Sequence, residues 1–164
     1  MVILNIDELL QLRENNKDKK IVFCSGSFDL PHAGHVLFFE DCKKLGDILV
    51  VCIGSDRLIK SLKGGKRPIL NENIRLKTID SLKPVDYCFL NPCSPKEHPL
   101  LVIGIVFKKL KPDTYVINED AFDIPHRLNL CKKYKVKLNI LKRWCPSEFD
   151  DISTSKIIEK IKSL

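Results

Sequence analysis

Five short runs of β-branched or unbroken apolar residues, KIVFC, DILVVCIG, YCFL, TYVIN and KLNILK, are spaced along the chain with helix-forming segments between them. That alternation narrows the fold more than any other feature. Parallel strands cannot be joined by a tight turn, so each pair needs a crossover that carries the chain back across a face of the sheet. Such crossovers are right-handed, which leaves few topologies open. The sequence therefore predicts an α/β protein built on one open, mostly parallel sheet. A chain of 164 residues has room for one domain with a real core, and residues 1–164 are read as that single domain.

The helical segments carry their own signals. Ile6, Leu9, Leu10 and Arg13 share a face of a short first helix, Ile6 to Asn15, that covers the sheet edge. A second helix starts near Gly34 or His35 and runs to Leu45, with Gly46 as its stop. SDRLIKSLKGGKRP gives a helix from Ser55 or Asp56 that breaks at Gly64-Gly65 and Pro68 into a basic loop. In NENIRLKTIDSLKP, Ile74, Ile79 and Leu82 lie near one helical face, Arg75 lies at its edge and Pro84 ends it. The run LLVIGIVF is a buried helix or a strand. The last helix follows Ser153, Thr154 and Ser155 and carries Ile157, Ile158, Ile161 and Leu164 at helical spacing.

Composition excludes several classes. No segment is long and apolar enough to cross a bilayer, so no membrane partner is expected. The opening MVILNIDELLQLREN has helical spacing and acidic residues where an export signal has a basic and then an apolar region, so the cytoplasm is the expected compartment. Seven cysteines, an odd number without a CxxC pair, do not form a disulfide framework. Cys88, Cys93 and His98 lack a fourth ligand at suitable spacing, and no metal site is assigned to the chain. The formal charge of +7 comes largely from lysines along helix faces, as in CKKYKVKL, and a small polyphosphate ligand explains it as well as any larger acidic partner. With three tyrosines and one tryptophan there is little to stack on bases, so no nucleic-acid partner is expected.

The chemistry concentrates in SGSFDLPHAGHVLFFE, Ser25 to Glu40, between the first strand and the helix that follows. In open α/β sheets ligands sit outside the carboxyl ends of the strands, and the first strand usually borders that crevice. Backbone N–H groups around Gly26 and Ser27, with the free N-terminus of the helix holding His35, can receive phosphate oxygens. His32 and His35, three apart across the helix start, can aim two imidazole donors at one phosphate. Such donors suit charge that develops on phosphorus during in-line displacement, and neither histidine need act as a base. Asp29 beside an anion site reads as a turn cap. Lys63, in a glycine-flanked loop, can swing over a triphosphate as a mobile charge.

GSFDLPHAGH resembles the first signature of the cytidylyltransferase-like branch of the nucleotidyltransferase superfamily, and ISTSKII resembles its second. With IDELLQLREN, LKGGKRPILNENIRLKTIDSLKPVDY and LKPD included, the likeness is greatest to the adenylyltransferase domains of ADP-heptose synthases and spans nearly the whole chain. The resemblance implies a single Rossmann-like domain with a five-stranded sheet flanked by helices. It implies Mg²⁺-dependent transfer of a nucleoside monophosphate from a nucleoside triphosphate, ATP in preference to CTP, to a sugar or polyol phosphate, with release of pyrophosphate. On that resemblance His32 and His35 stabilise the pentavalent phosphorus and Lys63 bridges the phosphates of both substrates. Ser27 and Phe28 line the nucleotide phosphates, Arg75 helps close the nucleotide site, and Ser153, Thr154 and Ser155 hold the β- and γ-phosphates. No carboxylate cage is visible, so Mg²⁺ is expected to arrive with the nucleotide. A homodimer is an option the family offers.

Two departures bear on specificity. After LKPD the chain has INED, Ile117 to Asp120, where the heptose-phosphate enzymes have KGGD, which changes a loop expected near base and sugar phosphate and offers Asn118 as a nucleotide-binding residue. Before the second signature stands the acidic CPSEFDD, where the glycerol-phosphate enzymes place an arginine and a glycine. CTP-dependent transfer to glycerol 3-phosphate, phosphoethanolamine or a related alcohol phosphate, and adenylylation of FMN, use the same phosphate machinery. A non-catalytic nucleotide sensor is the alternative outside the enzymes. His98 and His126 receive no role.

Overall fold

The structure is a computed structural model that describes residues 5–149 and 152–164. Met1 to Leu4, and Asp150 and Asp151 of the acidic CPSEFDD stretch, lie outside the described residues. The chain runs α1 (Glu8–Asn15), β1 (Ile21–Gly26), α2 (Ala33–Lys43), β2 (Ile48–Ile53), α3 (Asp56–Lys63), α4 (Glu72–Asp80), β3 (Tyr87–Leu90), α5 (Leu101–Leu110), β4 (Thr114–Asn118), α6 (Ile124–Tyr134), β5 (Lys137–Leu141), a 3₁₀ turn at Ser147–Phe149 and α7 (Thr154–Lys162). Its five strands form one sheet in the order β3-β2-β1-β4-β5, and every pairing is parallel.

The strands read as unbroken apolar runs because both faces of the sheet are covered. Side chains alternate between the faces with period two. Ile21 and Phe23 of β1, Val50 and Cys52 of β2 and Tyr115 of β4 pack with Leu9 and Leu12 of α1 and with Val102, Val106 and Phe107 of α5. Val22 and Cys24, Leu49 and Val51, and Val116 turn the other way, toward Phe39 of α2 and Ile79 of α4. Each fully buried Val, Leu, Ile or Phe contributes about 1.5–3 kcal/mol, so strands β1 and β2 anchor the domain. The order reverses between β1 and β4, and this switch point fixes where a ligand can enter.

Several local expectations change. The second helix begins at Ala33, one residue ahead of Gly34, because the His32 ring caps it. It ends at Lys43, with Lys44 in ordinary αR geometry, so Gly46 is not its stop. Gly46 is needed instead for close approach: a Cβ there would lie 2.7 Å from the Lys20 carbonyl oxygen. LLVIGIVF resolves as helix α5, whose face toward the sheet is buried. In α1 the buried pair is Leu9 and Leu12, while Leu10 is exposed. In α4 Ile79 is buried and Leu82 packs against the core as expected, but Ile74 is 46% exposed and Arg75 is 0% exposed. A guanidinium there finds three acceptors, described below, which no apolar side chain could satisfy. Ile161 of α7 and Leu164, beyond its end, are exposed.

Candidate active site

A cleft of about 1170 Å³ opens at the carboxyl ends of β1 and β4. Gly26, Ser27, Phe28, His32, His35, Lys63, Asn118, Ser153, Thr154 and Ser155 all line it, so residues spread over most of the chain meet in one place. Arg75 does not. It lies behind the β1–α2 loop, where Nη1 donates to Ser27 O at 2.6 Å, Nε to Leu70 O at 2.9 Å and Nη2 to Asp56 Oδ1 at 2.7 Å.

The β1–α2 loop holds a demanding shape. Phe28 and Leu30 have φ of 46° and 49°, a left-handed conformation that costs a non-glycine residue about 1–3 kcal/mol. Gly26 permits the turn, because a Cβ there would come within 2.8 Å of the Phe28 ring. Phe28 is then 6% exposed and packs on Phe39 and against the edge of His35. Asp29 caps the following segment: its carboxylate accepts from the N–H of Ile69 at 2.9 Å and of Leu70 at 3.0 Å and pairs with Arg67 at 2.9 Å. Asp29 therefore ties the α3–α4 loop to the histidine loop.

His32 and His35 form a reciprocal cap. Gly34 N–H donates to His32 Nδ1 at 3.1 Å, and His32 N–H donates to His35 Nδ1 at 3.4 Å. An imidazole that accepts at Nδ1 carries its proton, when neutral, on Nε2. The backbone thus sets both tautomers, the two rings lie 4.1 Å apart between centroids, and both residues line the cleft. Burial pulls the His35 pKa down to about 3, with His32, Arg143 and Lys63 acting in the same direction and Asp29 against them. His32 is lowered by burial and then by Arg143. Both are neutral donors near pH 7, suited to hydrogen bonding and not to proton transfer.

This arrangement makes stability pH-dependent. An unfolded chain protonates His35 at its ordinary value of 6.5, whereas the folded chain resists until about 3, so in that window the unfolded state binds more protons. Stability present above the upper value is lost as pH falls through the window, by roughly 1 kcal/mol per pH unit from this group. Urea unfolding of wild type and His35→Asn, compared between about pH 5 and about pH 7, should show a shallower slope for the variant. Parallel slopes would remove His35 as the source.

Lys63 is the last residue of α3, followed by Gly64 with φ of 87°. Burial and then Arg67 lower its pKa, and Asp29 partly offsets them. Arg143, just past β5, is a cation that the sequence did not reveal as part of the site; it pairs with Asp120 at 2.9 Å and borders the same cleft. The INED stretch thus supplies a partner for a cation arriving from another strand. At the start of α7, Ser153 Oγ caps the helix by accepting from Lys156 N–H at 3.2 Å, and Thr154 Oγ1 donates to Asp29 O at 2.6 Å. These bonds dock α7 on the histidine loop and bring a second helix N-terminus, besides that of α2, to the rim. Among the described residues no group of three metal-ligating side chains converges in the cleft.

An open parallel sheet with glycine-shaped backbone, neutral imidazole donors, lysine and helix N-termini at its switch point defines a phosphate-handling α/β domain of nucleotidyltransferase type. The cytidylyltransferase-like family model matches residues 23–160, and the chain belongs to that family of nucleotidyltransferase enzymes. It is 40% identical over 161 residues to the bifunctional protein HldE of Helicobacter acinonychis (strain Sheeba), covering 98% of this chain and 31% of that protein. The counterpart in Campylobacter jejuni (strain RM1221) is 39% identical with the same coverage. The chain therefore spans about 31% of the length of these relatives. The crystal structure of the lipopolysaccharide core biosynthesis protein from Thermoplasma volcanium GSS1 is similar at a TM-score of 0.60 and 30% identity, covering 79% of this chain and 99% of that one. Pantoate-beta-alanine ligase from Francisella tularensis, complexed with beta-gamma ATP and beta-alanine, shares the fold at a TM-score of 0.67 and 18% identity, covering 100% of this chain and 78% of that one. No helix among the described residues is long and apolar enough to cross a membrane.

Proposed function

We propose that this chain transfers an adenylyl group from ATP to a sugar 1-phosphate, with heptose 1-phosphate as the favoured acceptor. An oxygen of the acceptor phosphate attacks the α-phosphorus, the bond to the bridging oxygen of the β-phosphate breaks, and pyrophosphate leaves with both electrons of that bond. No covalent enzyme intermediate is needed. The observation that supports the reading is the pair of neutral imidazoles with Nδ1 held by backbone N–H, which leaves Nε2–H as the donor on two residues that line one cleft. Donors fixed in advance bind the oxygens more tightly as charge grows on them, and so lower the barrier.

Lys63 would span the phosphates of both substrates, and the α7 start would hold the leaving pyrophosphate through free N–H groups and the exposed Ser155 hydroxyl. Mg²⁺ would enter on the triphosphate and neutralise its charge, since the Asp29 carboxylate is already engaged by Ile69, Leu70 and Arg67. A phosphorylated metabolite as acceptor fits a cytoplasmic protein.

The test is pyrophosphate release by the purified chain with Mg²⁺, crossing ATP, CTP and GTP against heptose, glycerol and amino-alcohol phosphates and FMN. ATP with a heptose 1-phosphate should give the fastest release. Faster release with CTP and an alcohol phosphate would overturn the substrate assignment, and triphosphate binding without release from any pair would overturn the enzyme reading.

A further inference from the structure

Two histidines have no part in the cleft chemistry. His98, in the loop between β3 and α5, and His126, in the first turn of α6, are 28 residues apart in sequence, yet their rings stack with centroids 4.5 Å apart. Asp123, the N-cap of α6, lies beside them. One ligand atom from each of the three residues falls within 4.8 Å of the other two. Cys88 and Cys93, the partners that sequence spacing offered to His98, are instead buried in the two core clusters.

We propose that His98, Asp123 and His126 form a site for a Zn²⁺-class divalent cation, with water in the fourth position. Two imidazole nitrogens and a carboxylate oxygen are the ligand types that suit borderline cations, whereas Mg²⁺ and Ca²⁺ favour all-oxygen shells. Tetrahedral Zn²⁺ with bonds of about 2.0–2.1 Å sets neighbouring ligand atoms about 3.3 Å apart, so small side-chain rotations close the triangle. Much of the ordering is already done by the backbone. Pro99 follows His98 and Pro125 precedes His126, which fixes φ next to each ligand. Asp123 is held at φ 51° and accepts from His126 N–H at 3.2 Å through Oδ1, leaving Oδ2 for a metal.

His98 must rearrange. Its Nδ1 accepts from Leu100 N–H at 3.2 Å, and a neutral ring bound to metal through Nε2 carries its proton on Nδ1. Metal capture would exchange that long bond for the coordinate bond and shift Leu100. Pro99, Leu100, Ala121 and Phe122 all line the cleft, so a cation here would pin two of its wall segments to each other.

The decisive experiment titrates the purified full chain with Zn²⁺ by calorimetry, and with Co²⁺ to read the ligand set from its visible spectrum. One equivalent should bind, with a tetrahedral N/O spectrum lacking a thiolate charge-transfer band, and should raise the thermal midpoint. Asp123→Asn keeps an N-cap that tolerates left-handed geometry and removes the anionic ligand, so it should fold normally and bind at least tenfold more weakly. His126→Gln should do the same, while a His32→Asn/His35→Asn double variant should bind like wild type. The proposal fails if wild type takes up no stoichiometric Zn²⁺, if a thiolate band implicates Cys145, or if binding survives in Asp123→Asn and His126→Gln but is lost in the double variant.

Discussion

Replacing His35 by alanine is expected to lower turnover on the order of a hundred- to a thousandfold while nucleotide affinity changes little, the scale that follows loss of one fixed donor to a developing anion. The ring is placed by three features: Nδ1 on His32 N–H at 3.4 Å, the neighbouring imidazole at 4.1 Å, and an edge contact with Phe28 at 5.5 Å between centroids. Because burial keeps it neutral, its contribution on the proposed mechanism would be a hydrogen bond that tightens in the transition state and not a charge that attracts the triphosphate in the ground state. Steady-state kinetics should therefore show kcat falling with KM nearly constant. His32→Ala should act similarly, and if both rings serve one phosphate, as proposed, the double variant should lose less than the product of the single effects. Near-normal turnover in His35→Ala, with the fold intact by circular dichroism, would sink the role assigned to the pair.

Arg75→Met should destabilise the domain by about 3–5 kcal/mol, as expected when a fully buried guanidinium leaves three acceptors, two of them backbone carbonyls, without their donor. Arg75 is fully buried, and its three nitrogens satisfy Ser27 O, Leu70 O and Asp56. Methionine fills the space but leaves those acceptors without a donor. For a chain of this size the thermal midpoint should fall by roughly 10 °C. Arg75→Lys should recover only part of the loss, since an ammonium cannot reproduce a planar fork aimed at three acceptors. Turnover should fall as well, because the Ser27 loop loses the donor that fixes its carbonyl. A midpoint within about 1 °C of wild type would show that the guanidinium does not hold the loop.

The same residue marks the boundary of what periodicity can reveal. Helical spacing put Ile74 on the core side of α4 and Arg75 at the edge, because spacing ranks positions by apolarity and is blind to acceptors supplied by other elements. Ser27 and Asp56 lie 48 and 19 residues away in sequence, and only the folded chain brings them to the guanidinium. His32 shows a related shift. The start of α2 moved to Ala33 because an imidazole can cap a helix, a use that general capping preferences favour less than Ser, Thr, Asp or Asn. Asp29 is an intermediate case: an acidic residue beside an anion site implied a structural carboxylate, but instead of capping its own turn it caps the distant chain at Ile69 and Leu70.

The sequence by itself determined the alternation of strand and helix, hence the parallel sheet, and through GSFDLPHAGH and ISTSKII the family. Those features are local: side-chain periodicity and loop composition act within a few residues and survive in a one-dimensional reading. Tertiary structure alone decided that β1 and β4 flank the switch point, that Arg143 and Asp120 meet at the cleft, and that His98 faces His126 and Asp123. Each of these depends on which strands pair and which loops then share an end of the sheet. That choice is made by burying both faces of the sheet at once, a property of the whole chain that no single segment carries.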